Sequence, residues 1–470
     1  MKIRSALAVL DKKGLVRLRK YLQSEYFCTD SNLSKLLEWL IDNPREDNEL
    51  AKAKLWKAIF GNIPYEDVKL RLLFSRLLNH IENFIKIESA EKEEINLSTV
   101  RIYRRFKEDK LFLQALEEQK TRLDKSPLRN EHYYDRMYDL SLEEYDYLVT
   151  KKRQGEFNLK HIFDSIEIAY SIKKLRHCCR VLQIQSLYKL EFPFPSIENV
   201  LTQIEQNQWN ELPVLGFYYY NYQSILNPQN SDFFDRCVEH YNRYEDHFEE
   251  EERRYAFIDI LNYCIRKLNE GSDSYYKIIF DLYDRGLTQG FLLDQGKLSR
   301  FTYRNIAEIG ILMKEYSWVL QFLEEYKNKL DQPYRQSFYL LEKARVMSDQ
   351  RNYTQAIELL ANLNFSDPLI ELSTRLERIK IFYELDEMEV CQYHVESMDL
   401  FLRRKKNVGY HSPYYKNFLT YTRKLLKPEK TDHKFWKTNR AQLENEEKIT
   451  GRIWLAEKYD ERVHHLPSNH

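Results

Sequence analysis

Glycine and proline are scarce in this 470-residue chain, at 11 and 12 residues. A chain of this length built from short strands and turns would need many more of both, because they supply most turn geometries. Cysteine is scarce as well: Cys28, Cys178, Cys179, Cys237, Cys264 and Cys391 follow no framework spacing. An adjacent pair within an apolar stretch suits free thiols, so a reducing compartment is expected and a disulfide-built secreted domain is excluded. No apolar run approaches the ~20 residues of a membrane-spanning helix. Ala6–Leu10, closed by Asp11, is shorter than the roughly 7–15 apolar residues of a secretion signal. The expected location is therefore the cytoplasm, without a membrane partner. Net charge is missing too, with 73 Lys plus Arg against 73 Asp plus Glu. Proteins held by phosphate contacts usually carry a basic excess, so nucleic acid is not the expected partner.

What is present is helix-forming. Apolar residues make up 43% of the chain, enough for extensive cores. Glu, Lys, Leu, Arg and Tyr dominate the composition, and most of them suit helices. The expected class is all-α, in two or three domains of ~150 residues each. Charge is uneven only locally. Lys2, Arg4, Lys12, Lys13, Arg17, Arg19 and Lys20 crowd the first twenty residues, and Glu249–Glu252 run straight into Arg253 and Arg254. Both runs fit solvated helix faces or dipole-matched termini.

Periodicity divides the chain. Residues 1–95 read as an N-terminal helical domain, with Leu15, Leu18 and Leu22, then Leu33, Leu36, Leu37 and Leu40, at helical spacing. Ser31 can cap the second of these helices, and Gly61-Asn62-Ile63-Pro64 breaks a third. A fourth helix is expected over 65–87, and the charged residues 88–95 suit a linker. Residues 96–296 read as helices with short breaks at Ser126-Pro127, Gln154-Gly155, Pro193–Pro195, Asn227-Pro228 and Gly271-Ser272. Short breaks make consecutive helices antiparallel neighbours, the arrangement of a helical-hairpin region.

Residues 297–405 carry a repeat. Ala344 and Ala356 stand twelve apart, with Asn352-Tyr353 between them and Pro368 twelve further on. Ala307 with Val319, and Ile379 with Cys391, reproduce that spacing at offsets of 37 and 35 residues. Two antiparallel helices joined by a tight turn bring one side chain of each together near the closed end, and those side chains must be compact. Tyr316 and Tyr353 would wedge the turns. A single hairpin cannot bury its apolar face, so neighbours must stack. Residues 406–470 would then supply C-terminal capping helices, the last a polar helix anchored at Trp454-Leu455.

The 334–368 unit resembles a tetratricopeptide repeat, through its two alanines, the Asn-Tyr pair and Pro368, without the Trp and Gly of the strict pattern. The resemblance implies a helical-hairpin solenoid. The whole chain also resembles an uncharacterised Bacteroidota-type bacterial family. That resemblance rests on Leu18–Phe27, Leu55–Gly61, Ser75–Leu78, Arg304-Asn305-Ile306 with Trp318, and Phe382–Leu385. It implies an architecture and supplies no activity.

Motifs that would carry chemistry are weak. Gly290…Gly296-Lys297-Leu298-Ser299 has five residues between its glycines and no Ser or Thr directly after Lys297. Both departures spoil a phosphate-binding loop, and no strand is expected before it. Cys391 and His394, and His177-Cys178-Cys179, lack the further ligands a metal needs. Arg404 and His411 match only loosely the Arg and His of some helical ribonucleases. The helices flanking Gly61–Pro64 resemble a helix-turn-helix, with Arg71 and Arg76 on the second, but that helix is apolar over a wide arc. Among the 35 tyrosines, Phe217–Tyr222 stands out. Consecutive helical aromatics point around the whole circumference, so at least one should face solvent or a neighbouring surface, and packing between hairpins with the hydroxyls bonded to the next helix is the favoured reading over a partner interface. No catalytic, cofactor or metal residue is assigned. The expectation is a non-enzymatic scaffold that binds an unidentified protein or peptide. A nucleic-acid-contacting regulator and a metal-independent ribonuclease are the alternatives.

Overall fold

In the computed structural model of the protein, the described residues are 2–43, 49–92, 97–151, 157–188, 192–363, 368–404, 411–427 and 433–465. They form two compact units, Met1–Glu249 and Glu250–His470. The first unit holds α1 (Lys2–Ala8), α2 (Lys12–Gln23), α3 (Ser31–Asp42), α4 (Glu49–Phe60), α5 (Asp67–Lys92), α6 (Leu97–Arg105), α7 (Asp109–Lys125), α8 (Glu131–Lys151), α9 (Leu159–Tyr188), α10 (Ile197–Gln206), α11 (Pro213–Leu226) and α12 (Ser231–Tyr244). The second holds α13 (Glu250–Asn269), α14 (Tyr275–Thr288), α15 (Arg300–Leu312), α16 (Tyr316–Tyr326), α17 (Gln332–Asp349), α18 (Tyr353–Ala361), α19 (Pro368–Glu384), α20 (Met388–Arg404), α21 (Ser412–Leu425), α22 (His433–Glu444) and α23 (Arg452–His465). Among the described residues the chain is all-α but for one pair of two-residue strands, β1 (Leu293–Asp294) and β2 (Lys297–Leu298). Among the described residues no helix is long and apolar enough to cross a membrane.

In the first unit the leucine periodicity of α2, α3 and α5 becomes one core, in which Leu18, Leu33, Leu36, Leu77 and Ile81 are fully buried. The α3 cap is Asp30, whose carboxylate accepts from the Asn32 N–H at 3.0 Å; Ser31 is already helical. Helix α5 continues through Lys92, so residues 88–92 are helix rather than linker, and residues 93–95 lie outside the described residues. The residues there are mostly good helix formers, and Glu88 pairs with Arg17 at 2.6 Å, which ties the extension to α2.

The aromatic run on α11 is packed inside the first unit rather than placed at solvent. Phe217, Tyr218, Tyr219, Tyr220 and Tyr222 are all buried. Helix α11 packs against α9, α12 and the turn at Trp209–Glu211, so its whole circumference meets protein. Gly216 permits this approach: a Cβ there would stand 2.3 Å from the Asn210 carbonyl oxygen and 2.5 Å from His240 Cε1. The hydroxyls find partners, as Tyr219 donates to Glu205 at 2.6 Å while Tyr220 accepts from Asn210 and Arg236.

In the second unit α15–α20 form three consecutive hairpins. Each turn holds a non-glycine residue in the left-handed region, Lys314 (φ 60°), Arg351 (φ 61°) and Asp386 (φ 61°). Each is closed by a six-residue backbone bond, from Glu315 to Gly310, Asn352 to Met347 and Glu387 to Phe382. This is the Schellman closure, which satisfies the last carbonyls of the first helix. Its recurrence matches the 37- and 35-residue offsets of the sequence. Ala307, Val319, Ala344, Ala356, Ile379 and Cys391 are all completely buried. In the first hairpin Gly310 stands close against the second helix, where a Cβ would meet Val319 Cγ2 at 2.4 Å. Met347 and Phe382 occupy the register position of Gly310, and their hairpins carry the smaller Ala356 and Cys391 where the first carries Val319. Volume is thus exchanged across the turn, as close packing demands.

The turn between α6 and α7 has the same construction. Lys107 has φ 58°, Glu108 bonds back to Tyr103, and Val100 and Phe112, twelve apart, are fully buried. The C-terminal helix is less polar than expected. Leu455 and Tyr459 are fully buried in one core with α19, α20 and α21, and Trp454 donates to Glu384 at 2.7 Å.

Candidate functional site

The described residues among those singled out in the sequence lie in separate parts of the two units. Gly296 and Gln295, with φ 77° and 48°, form the two-residue turn of the β1–β2 hairpin. Lys297 pairs with Asp331 at 2.6 Å, and Ser299 caps α15 by accepting from the Phe301 N–H. The strands differ from expectation, yet each has only two residues, and the hairpin leads into no phosphate cradle. All six cysteines are buried free thiols. Burial pushes the Cys391 thiol up to about 12, which removes thiolate character, and its Sγ donates to the Ile379 carbonyl at 3.4 Å. Among the described residues no three of His, Cys, Asp and Glu converge on a point where a metal ion would sit. His411 opens α21; burial and the Arg304 charge hold its imidazole below its ordinary range. Lys405 and Lys406, next to Arg404, and the Gln154-Gly155 break lie outside the described residues. Arg71 pairs with Asp67 and Arg76 with Asp30 at 2.8 Å, so carboxylates already engage both arginines of the helix-turn-helix resemblance.

The second unit brings together a different set, which the repeat register predicts once it is projected onto helix faces. Glu308, Arg345 and Lys380 share one register position on α15, α17 and α19; Asn305, Glu342 and Glu377 share another, three residues earlier. Residues three apart on a helix lie on the same face, so these positions form a ladder across the first helices of three hairpins. Arg345 is its hub. Its Nη1 donates to Glu342 Oε2 at 2.8 Å, and its guanidinium lies 3.6 Å from both Glu308 and Glu377. Lys380 adds a 3.2 Å bond to Glu377. Arg304 donates to Ser373 Oγ at 3.0 Å, and the Ser373 and Tyr415 hydroxyls share a 3.3 Å bond.

The electrostatics follow from depth. Burial raises the Glu342 carboxyl despite Arg345 and Arg304, and its Oε1 has no hydrogen-bond partner. Burial acts the same way on Glu308, but Arg345, Arg304 and Lys380 outweigh it and hold that carboxyl below its usual range. Glu308 still exposes 46% of its side chain, so solvent screens its pairing far more than that of Glu342, which exposes none. Burial opposes the Arg345 charge, yet Glu342, Glu308 and Glu377 together raise its pKa above the ordinary value. The arrangement links the first helices of three consecutive hairpins and leaves Asn305 and Glu308 at its exposed edge. Sequence reasoning missed it because these charges look like ordinary solvated helix residues. The signal was the recurrence of charge at the same offsets as the compact pairs. No family model matches the chain, and no curated protein matches it either.

Proposed function

We propose that the protein is a non-enzymatic binder of a protein or peptide segment, built as a tetratricopeptide-like solenoid. The ladder on α15, α17 and α19 is its binding face. The observation that carries this reading is the register alignment of Glu308, Arg345 and Lys380 with Asn305, Glu342 and Glu377. Stacking requires compact residues at the hairpin turns and makes no demand for charge on the opposite faces. A ladder held by mutual ion pairs is pre-ordered, so a segment laid across it would meet donors and acceptors at low ordering cost. Its mixed signs suit a polar segment that itself carries both charges. Tetratricopeptide-like arrays present such faces to extended or helical segments of partners.

The test uses the immobilised full chain against Arg304→Glu/Glu308→Lys, with Gln355→Leu as a control on an exposed face. Binders from the native cell, read by mass spectrometry, should fall away with the double variant and persist with the control, with circular dichroism showing that the double variant is folded at the assay temperature. An identical set of captured proteins for all three chains refutes the ladder as the binding face.

A further inference from the structure

A second feature of the hairpin α19–α20 is independent of the ladder. A hollow of about 240 Å³ is lined by Arg375 and Arg378 from α19 and by Tyr393, His394 and Ser397 from α20. Five polar side chains thus converge on a space that the protein does not fill. Hairpin packing does not require arginine here. At the register positions of Arg375 and Arg378, α15 carries Tyr303 and Ile306, both fully buried, and α17 carries Leu340 and Lys343.

The charges in the hollow are unevenly matched. Arg375 donates to Glu371 at 2.7 Å and to Ser397 Oγ at 2.8 Å, and lies over the Phe401 ring at 4.9 Å. Arg378 donates to the Leu360 carbonyl at 3.0 Å, and among the described residues no carboxylate pairs with it. Burial and the neighbouring Arg375 lower its pKa, the mark of a cation whose charge is poorly compensated. The His394 ring, which lines the hollow beside the arginines, stacks on Phe382 at 5.0 Å with 9° between the planes.

We propose that this hollow is an oxyanion site that takes a phosphoryl group. The Arg375 and Arg378 guanidiniums supply charge-assisted donors, the Ser397 and Tyr393 hydroxyls supply neutral ones, and His394 completes the wall. Arginine forks match the oxygen spacing of phosphate, and an anion relieves the unbalanced charge at Arg378. The phosphoryl group comes either from free phosphate or from an organic phosphate monoester, and the chemistry of recognition is the same.

Thermal unfolding of the full chain in inorganic phosphate, in O-phosphoserine and in chloride at equal ionic strength tests this. A ligand that binds the folded state raises Tm in proportion to its affinity. Phosphate also stabilises proteins by exclusion from their surface, so the signal is the difference between wild type and Arg378→Gln. Arg378→Gln is expected to unfold at higher temperature than wild type in chloride, because it removes an uncompensated charge. It should also lose the phosphate-specific rise, as titration calorimetry should show by about a tenfold or greater loss of affinity. An arginine with only a structural role would do the reverse, lowering Tm in chloride and leaving the phosphate response intact, and that result overturns the proposal. If Arg378→Gln does not fold, Ser397→Ala serves in its place, and an undiminished phosphate response overturns the proposal equally. A larger response to O-phosphoserine than to phosphate assigns the site to a carried phosphoryl group. A smaller one assigns it to the free anion, and a wild-type response to neither sinks it.

Discussion

Replacing Ala356 by Leu probes the packing on which the hairpin register depends. Ala356 is fully buried on α18, opposite the turn from Ala344 on α17. The equivalent approach in the preceding hairpin is so close that a single added Cβ at Gly310 would lie 2.4 Å from Val319 Cγ2. Leucine adds three carbons to a site whose facing register position holds Met347 rather than glycine. Overpacking of this kind costs ~1–3 kcal/mol. One kcal/mol corresponds to roughly 2–4 °C in Tm for a unit of 150–250 residues. Gln355 is exposed, so Gln355→Leu should change stability by less than about 0.5 kcal/mol. Leucine is a good helix former, so neither substitution acts through the backbone. Met347→Ala should by itself cost about 2–5 kcal/mol. In combination with Ala356→Leu it should cost less than the sum by about 0.5–3 kcal/mol, because one change makes the room that the other fills. Urea and thermal unfolding of the full chain measure all four proteins. Equal effects at 355 and 356, or strict additivity of the Met347 pair, would refute the volume exchange and the register with it.

Three further outcomes are expected. Arg345→Ala strands Glu342 in a fully buried position and should destabilise the second unit by ~3–5 kcal/mol, whereas Arg345→Met with Glu342→Gln should recover much of that loss; denaturant unfolding compares them. Gly216→Ala should lower Tm markedly, since its Cβ would meet the Asn210 backbone oxygen at 2.3 Å, and a wild-type melting curve would contradict the packing of α11. His240 is held below its ordinary pKa by burial, with its bond to the Pro213 carbonyl and the charges of Glu211 and Glu239 acting the other way. Its stabilising contribution is therefore complete above the unfolded value of ~6.5 and is lost as pH falls toward the folded-state pKa. Tm measured between pH 7.5 and 5 should fall with pH, and less steeply in His240→Gln.

The two sources of knowledge separate along physical lines. Helical class, the leucine faces of α2, α3 and α5, and the twelve-residue pairs from Ala307 to Cys391 were legible in the sequence. They were legible because burial and close approach restrict which residues can stand at each helical position, and those restrictions recur along the chain. The cap of α3 and the length of α5 were misjudged because neighbouring residues such as Asp30 and Ser31 compete on nearly equal terms, and charged residues suit both helix and linker. Other features belonged to the tertiary structure alone. The tyrosines of α11 are buried because α9, α12 and the turn at Trp209–Glu211 pack around them, a matter of topology that no local pattern records. Gly310 also stands against Val319, with no room for a Cβ, which depends on how the two helices roll about their axes. The Arg345 ladder and the hollow at Arg378 join residues of different helices. Their charges acquire meaning only when stacking removes some from water and leaves others at its edge, since depth decides whether a charge is a solvated ornament or a bond between hairpins.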